Sequence, residues 1–207
     1  MINKELQKRI LSSIILLPLA LYFIFAGSFY LIFFTLICFF VSIYEWNKMV
    51  KKIKLKLFGT LFLIFSFYSF YEISNDRLWV FVLLVCVSTD IGGYIFGKLF
   101  KGPKLTKISP NKTYSGVIGG YLLSLIFLSF FMNWINQTVN VEWFIVTILI
   151  STVSQIGDII ISYFKRLSKV KDTGKIIPGH GGLLDRIDGM IFAFPIFFLI
   201  ELTGNLS

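Results

Sequence analysis

Charge is scarce in this chain. Asp, Glu, Lys and Arg make up 15% of its 207 residues, against about a quarter in an ordinary soluble domain. That shortage argues against a disordered chain, which stays solvated through polar and charged residues, and against a charged coiled coil. Cysteine is nearly absent. Cys38 and Cys86 both sit inside apolar runs and read as packing residues, which excludes a disulfide scaffold and leaves no zinc spacing. There is one histidine, His180. No long low-complexity stretch or internal repeat stands out. Apolar residues are what remain: 56% of the chain, with 24 Phe and a mean hydropathy of +0.80. The formal charge of +9 does not by itself make a nucleic-acid binder when the rest of the chain is this greasy. Composition predicts one compact membrane domain.

A helix needs about 20 predominantly apolar residues to cross the bilayer core. Seven segments qualify: 10–27, 29–46, 57–73, 78–97, 115–134, 143–164 and 187–203. The expected fold is therefore all-α, a polytopic integral membrane helix bundle of about seven transmembrane helices. A cleaved signal peptide is the alternative for the first segment. The apolar pattern resumes after only Gly27-Ser28, which favours a retained hairpin.

Basic residues set the expected orientation. Lys4, Lys8 and Arg9 precede the first segment; Lys48 to Lys56, Lys98 to Lys112, and Lys165 to Arg186 follow the second, fourth and sixth. Nineteen of the 20 Lys and Arg residues then lie on one side, with Arg77 alone on the other. The N-terminus is expected in the cytoplasm. The long basic loops 98–114 and 165–186 face the same way, and that face is where function is expected.

Carboxylates within apolar segments are expensive and point to function. Asp90, Asp158, Asp185 and Asp188 all fall at the expected cytoplasmic ends of their segments. Ser151, Gln155, Asp158, Ser162 and Lys165 recur at steps of four and three, which draws one polar stripe on a helix and turns it toward protein or water; a helix–helix hydrogen-bonding seam is the competing reading. Asp185 and Asp188, three apart at the start of the seventh segment, are expected to share a helical face. Two neighbouring carboxylates need a cation, and hard oxygen ligands beside phosphate suit Mg²⁺.

The loop before them runs through Lys165, Arg166, Lys169, Lys171 and Lys175 into Pro178-Gly179-His180-Gly181-Gly182. Glycines let backbone N–H groups approach an anion. A basic run, a glycine turn and metal carboxylates together suit a phosphate-rich substrate, although topology and a tight turn account for the first two separately. In the other loop, Ser109-Pro110-Asn111-Lys112-Thr113 reads as a helix start, with Ser109 as N-cap and Pro110 in the first turn. Gly93 and Gly97 read as a close-packing stripe.

The runs Ser162-Tyr163-Phe164-Lys165-Arg166, Lys171-Asp172-Thr173-Gly174 and Ile177-Pro178-Gly179-His180-Gly181-Gly182-Leu183-Leu184-Asp185-Arg186-Ile187-Asp188 resemble the phosphatidate cytidylyltransferase (CDP-diacylglycerol synthase) family. Gln155-Ile156-Gly157-Asp158 fits the same pattern, as does a weaker block from Thr89-Asp90 to Gly116. The resemblance covers residues 88–190 and implies an enzyme that joins CTP and phosphatidic acid. It implies Mg²⁺, with K⁺ as a second ion, and a homodimer. It makes Asp158 and Asp185 the metal carboxylates with Asp188 close by. Lys165, Arg166, Lys171, Asp172, His180 and Arg186 become catalytic or phosphate-holding groups. Ser109, Lys112, Thr113, Ser162, Gly181 and Gly182 become substrate contacts. The chain then divides into N-terminal membrane helices, 1–75, and a catalytic membrane domain, 76–207, multi-pass in a bacterial inner membrane with the site toward the cytoplasm. Most members of that family are longer, with about nine spans against the seven expected here. Competing readings are another CTP-dependent lipid enzyme, such as a polyprenol kinase or an archaeal-type CDP-lipid synthase, and a transporter. A transporter places its site near the midplane between repeats, and neither feature is visible.

Overall fold

The computed structural model describes residues 14, 18–19, 22–23, 26–74 and 78–204. The expected first span, 10–27, lies largely outside the described residues, as do Lys4, Lys8, Arg9 and Arg77. Six α-helices are described: α1 (Ser28–Met49), α2 (Ile53–Ile73), α3 (Leu78–Phe100), α4 (Tyr114–Trp134), α5 (Val141–Leu167) and α6 (Met190–Glu201). There is no strand among the described residues, only two isolated bridges, Lys104 with Thr113 and Ile177 with Gly181. Five helices are apolar and 21 to 27 residues long, about 30–40 Å at ~1.5 Å per residue, enough to cross a membrane.

The seventh expected span differs. α6 has 12 residues, about 18 Å, against a hydrocarbon core of about 30 Å. The stretch 183–189 is bends and turns rather than helix, so Asp185 and Asp188 do not share a helical face. Arg186 N–H closes a single turn on Leu183 C=O at 2.8 Å, while the Asp185 side chain bonds back to the Gly182 N–H. Local side-chain bonds to the backbone compete here with continued helix.

The chain forms two compact units, Met1–Phe67 with Phe164–Ile187, and Tyr68–Tyr163 with Asp188–Ser207. In the first, α1 is fixed by its C-terminal half. The Trp46 ring lies where a Cβ on Gly59 would stand, and its Nε1 donates to the carbonyls of Leu55 and Lys56, both at 3.3 Å. The same ring meets Phe164 edge-on at 5.1 Å.

In the second, α3 packs against α4 and α6. A Cβ on Gly92 would strike the Gly119 carbonyl, and one on Gly119 would strike Phe96, so small residues bring the two backbones together. Gly97 abuts Thr113, where a Cβ would sit 3.0 Å from Oγ1. Thr89 shares a 2.8 Å hydrogen bond with Ser151, and Tyr121 a 2.9 Å bond with Thr152, joining α5 to its neighbours. At the apolar end Phe81 is fully buried among Phe131, Trp143 and Phe197, with centroids 5.0 to 5.6 Å away. Large apolar side chains such as Phe40, Phe58, Ile118 and Phe130 stand exposed on the long helices. A soluble protein does not leave such surface in water; lipid solvates it.

Candidate active site

The second unit carries a lysine–carboxylate pair. Lys112 Nζ lies 2.5 Å from Asp158 Oδ2, with the two side chains 24% and 27% exposed. Lys112 also donates to the Gln155 carbonyl at 3.3 Å, and Ser162 Oγ donates to Asp158 Oδ1 at 3.3 Å. The predicted polar stripe on α5 is therefore turned toward protein. Its upper part, Ser151 with Gln155 and Thr89, is the hydrogen-bonding seam.

Lys112 is presented by a folded loop. Its N–H bonds to Ser109 C=O at 3.1 Å, its C=O accepts from Leu105 N–H at 2.8 Å, and Tyr114 N–H bonds to Pro103 C=O at 3.1 Å. Ser109 to Lys112 is thus a turn, with Pro110 at the second position that suits it. This corrects the expected helix start: Ser109 is not the N-cap. Thr113 is, accepting from Gly116 N–H at 3.1 Å, because the pairing of Lys104 with Thr113 carries the chain four residues further before it can coil.

The first unit carries the other pair. Lys165 Nζ donates to Asp185 Oδ1 at 2.8 Å, with side-chain exposures of only 12% and 6%. Asp185 Oδ2 accepts from Thr173 N–H at 2.8 Å and Gly182 N–H at 3.0 Å. Between these donors the loop closes on itself: Ile177 N–H bonds to Gly181 C=O at 2.9 Å and Gly181 N–H to Ile177 C=O at 3.2 Å. Gly179 and Gly181 take φ of 77° and 89°, which other residues rarely adopt. Arg186 Nη2 donates to the His180 carbonyl at 2.6 Å, bracing the turn across its tip.

The remaining predicted residues take varied places. Lys171 and Asp172 are exposed on the loop, and Arg166 is exposed with Nη1 3.4 Å from the Val170 carbonyl. Asp188 is buried in the second unit. Its Oδ1 accepts from Gly189 N–H at 3.0 Å, and its backbone packs against Gly157. Among the described residues, no three His, Cys, Asp or Glu side chains are grouped to hold a metal alone.

Sequence reading missed two contributors. Glu45 on α1 is 1% exposed and accepts from Thr173 Oγ1 at 3.2 Å, Leu183 N–H at 3.1 Å and Leu184 N–H at 2.9 Å. Thr173 serves both Glu45 and Asp185. The one signal was that Glu45 falls within the expected span 29–46, although at its end and close to Lys48.

The Cytidylyltransferase family pattern matches residues 53–203. A phosphatidate cytidylyltransferase of Rickettsia felis is 36% identical over 215 aligned positions, covering 97% of this chain and 94% of that protein. Phosphatidate cytidylyltransferases of Staphylococcus haemolyticus and Staphylococcus aureus are 42% and 41% identical over 140 positions. That stretch is 65% of this chain and 54% of each staphylococcal protein, so it spans about half their length. Both lysine–carboxylate pairs fall within the family match, and the chain belongs to the cytidylyltransferase family.

Proposed function

We propose that this chain is a phosphatidate cytidylyltransferase, joining CTP to phosphatidic acid to give CDP-diacylglycerol and pyrophosphate. The observation that carries the reading is the family match over 53–203, which holds Lys112, Asp158, Lys165 and Asp185. A phosphate oxygen of phosphatidic acid attacks the α-phosphorus of CTP, and the bond to the β-phosphate breaks. The nucleophile is already an anion, so the barrier lies in bringing two polyanions together and in the charge that builds between them. The exposed cations Arg166, Lys171, Lys175 and Arg186 lower that repulsion, and Lys112 and Lys165 fix the two carboxylates. The acyl chains stay in the bilayer while the headgroup reaches the basic loops.

The donor chemistry fits Mg²⁺. Asp158 and Asp185 offer carboxylate oxygens, and each already holds a cation, in the form of a lysine ammonium. With no grouped set of three such ligands among the described residues, an ion at either carboxylate would take its remaining oxygens from substrate phosphate and water, as Mg²⁺ usually does. A bound ion would neutralise phosphate charge; Asp185 in the first unit and Asp158 and Asp188 in the second are proposed metal ligands, with K⁺ as the proposed second ion. The N-terminus and the basic loops are proposed on the cytoplasmic side of a bacterial inner membrane, by the asymmetry of Lys and Arg.

The test is product analysis with purified protein, phosphatidic acid, CTP and Mg²⁺. Equal amounts of CDP-diacylglycerol and pyrophosphate are expected. CDP as the nucleotide product would instead mark a CTP-dependent lipid kinase.

A further inference from the structure

Glu45 lies on α1, outside the stretch matched by the family pattern, yet its carboxylate takes three hydrogen bonds from the loop that carries Asp185. Burial of an ionised carboxylate is tolerated only where it is well paired, and here the partners are one hydroxyl and two backbone N–H groups. The two acids divide one turn between them. Thr173 gives its hydroxyl to Glu45 and its N–H to Asp185. Gly182 gives its N–H to Asp185, and the next two residues give theirs to Glu45. Space points the same way. A Cβ on Gly174 would overlap the Glu45 carboxyl, and a Cβ on Gly182 would stand 2.5 Å from Glu45 Oε2. The two glycines leave room for an acid arriving from another helix.

We propose that Glu45 is a positioning residue, holding the Thr173 hydroxyl and the Leu183 and Leu184 N–H groups so that the adjoining N–H groups of Thr173 and Gly182 orient Asp185 for the reaction. The inference rests on the proposed function for its kinetic readout and stands on loop order for its other one. Glu45 does not touch substrate in this account; it acts through the two N–H groups that fix the Asp185 carboxylate.

Three variants test it: Glu45→Gln, Thr173→Val and Thr173→Ser. An amide at position 45 must aim its NH₂ at one of the backbone donors. Hydrogen exchange of the 173–185 segment should quicken in Glu45→Gln and Thr173→Val, while α3 and α4 keep wild-type protection. The kcat should fall by about 100-fold in Glu45→Gln, as expected for a small misplacement of a reacting constellation, with KM for CTP little changed. Thr173→Ser, which keeps the hydroxyl, should restore both readouts, and combining Glu45→Gln with Thr173→Val should cost less than the product of the separate losses. Wild-type exchange in the loop of Glu45→Gln would overturn the proposal. So would loss of protection throughout the chain, or a serine variant no better than valine. If Glu45→Gln does not fold, the Thr173 pair decides. If the wild-type protein makes no CDP-diacylglycerol, the functional reading fails, while the exchange data still decide whether Glu45 holds the loop.

Discussion

Replacing Asp185 by Asn removes one charge and keeps the side chain's volume. In the wild-type loop Oδ1 faces Lys165 at 2.8 Å and Oδ2 takes the two N–H groups. An asparagine can keep its carbonyl on the N–H pair, but its NH₂ then faces an ammonium, donor against donor. Breaking a buried pair from one side costs about 3–5 kcal/mol, chiefly because the other charge is stranded. With Lys165 still 12% exposed, we take the low end, about 3 kcal/mol, or roughly a 100-fold shift in the local opening equilibrium at 1.4 kcal/mol per tenfold. Hydrogen exchange of residues 171–186 should quicken by that order while α3–α4 is unchanged, and CDP-diacylglycerol synthesis should be lost. Adding Lys165→Met removes the stranded charge, since replacing both partners of a buried pair is often neutral. The double variant should therefore recover loop protection without recovering activity. Wild-type exchange in Asp185→Asn would show that the ion pair does not order the loop, and activity that returns with protection would show that the Asp185 carboxylate is not needed for the reaction.

Lys112→Met breaks a pair that is about a quarter exposed. Stability should drop by no more than about 1 kcal/mol, while activity falls by about 100-fold because the Asp158 carboxylate is no longer held in place; parallel thermal unfolding and turnover measurements check the split. Thr113→Val deletes the acceptor for Gly116 N–H and should cost about 1 kcal/mol, with Thr113→Ser close to wild type in the same unfolding assay. Gly119→Ala places a methyl group in the Phe96 ring and should destabilise by about 1–3 kcal/mol, read as a lower unfolding midpoint in detergent that Phe96→Ala partly restores.

The long helices were legible because bilayer thickness sets a length that composition alone satisfies. Five expected segments, from 29–46 to 143–164, correspond to α1–α5. The stripe on α5 was legible for the same kind of reason, since a periodic polar face in an apolar helix needs protein beside it. Its partner was not. Lys112 reaches Asp158 across 46 residues of sequence, through a loop whose Ser109 reads as the cap; the pairing of Lys104 with Thr113 moves the helix start to Thr113. The turn at Asp185 was hidden because a helical spacing of acids says nothing about where their oxygens find donors. Glu45 was harder still. Beside Lys48 it reads as an ordinary charged helix end, and its partner Thr173 lies 128 residues away.

Purified protein in vesicles containing phosphatidic acid, supplied with CTP and Mg²⁺, should form CDP-diacylglycerol and pyrophosphate in equal amounts and need both substrates, with Asp185→Asn inactive beside it. No CDP-diacylglycerol from well-folded protein, or full turnover in Asp185→Asn, would contradict the account.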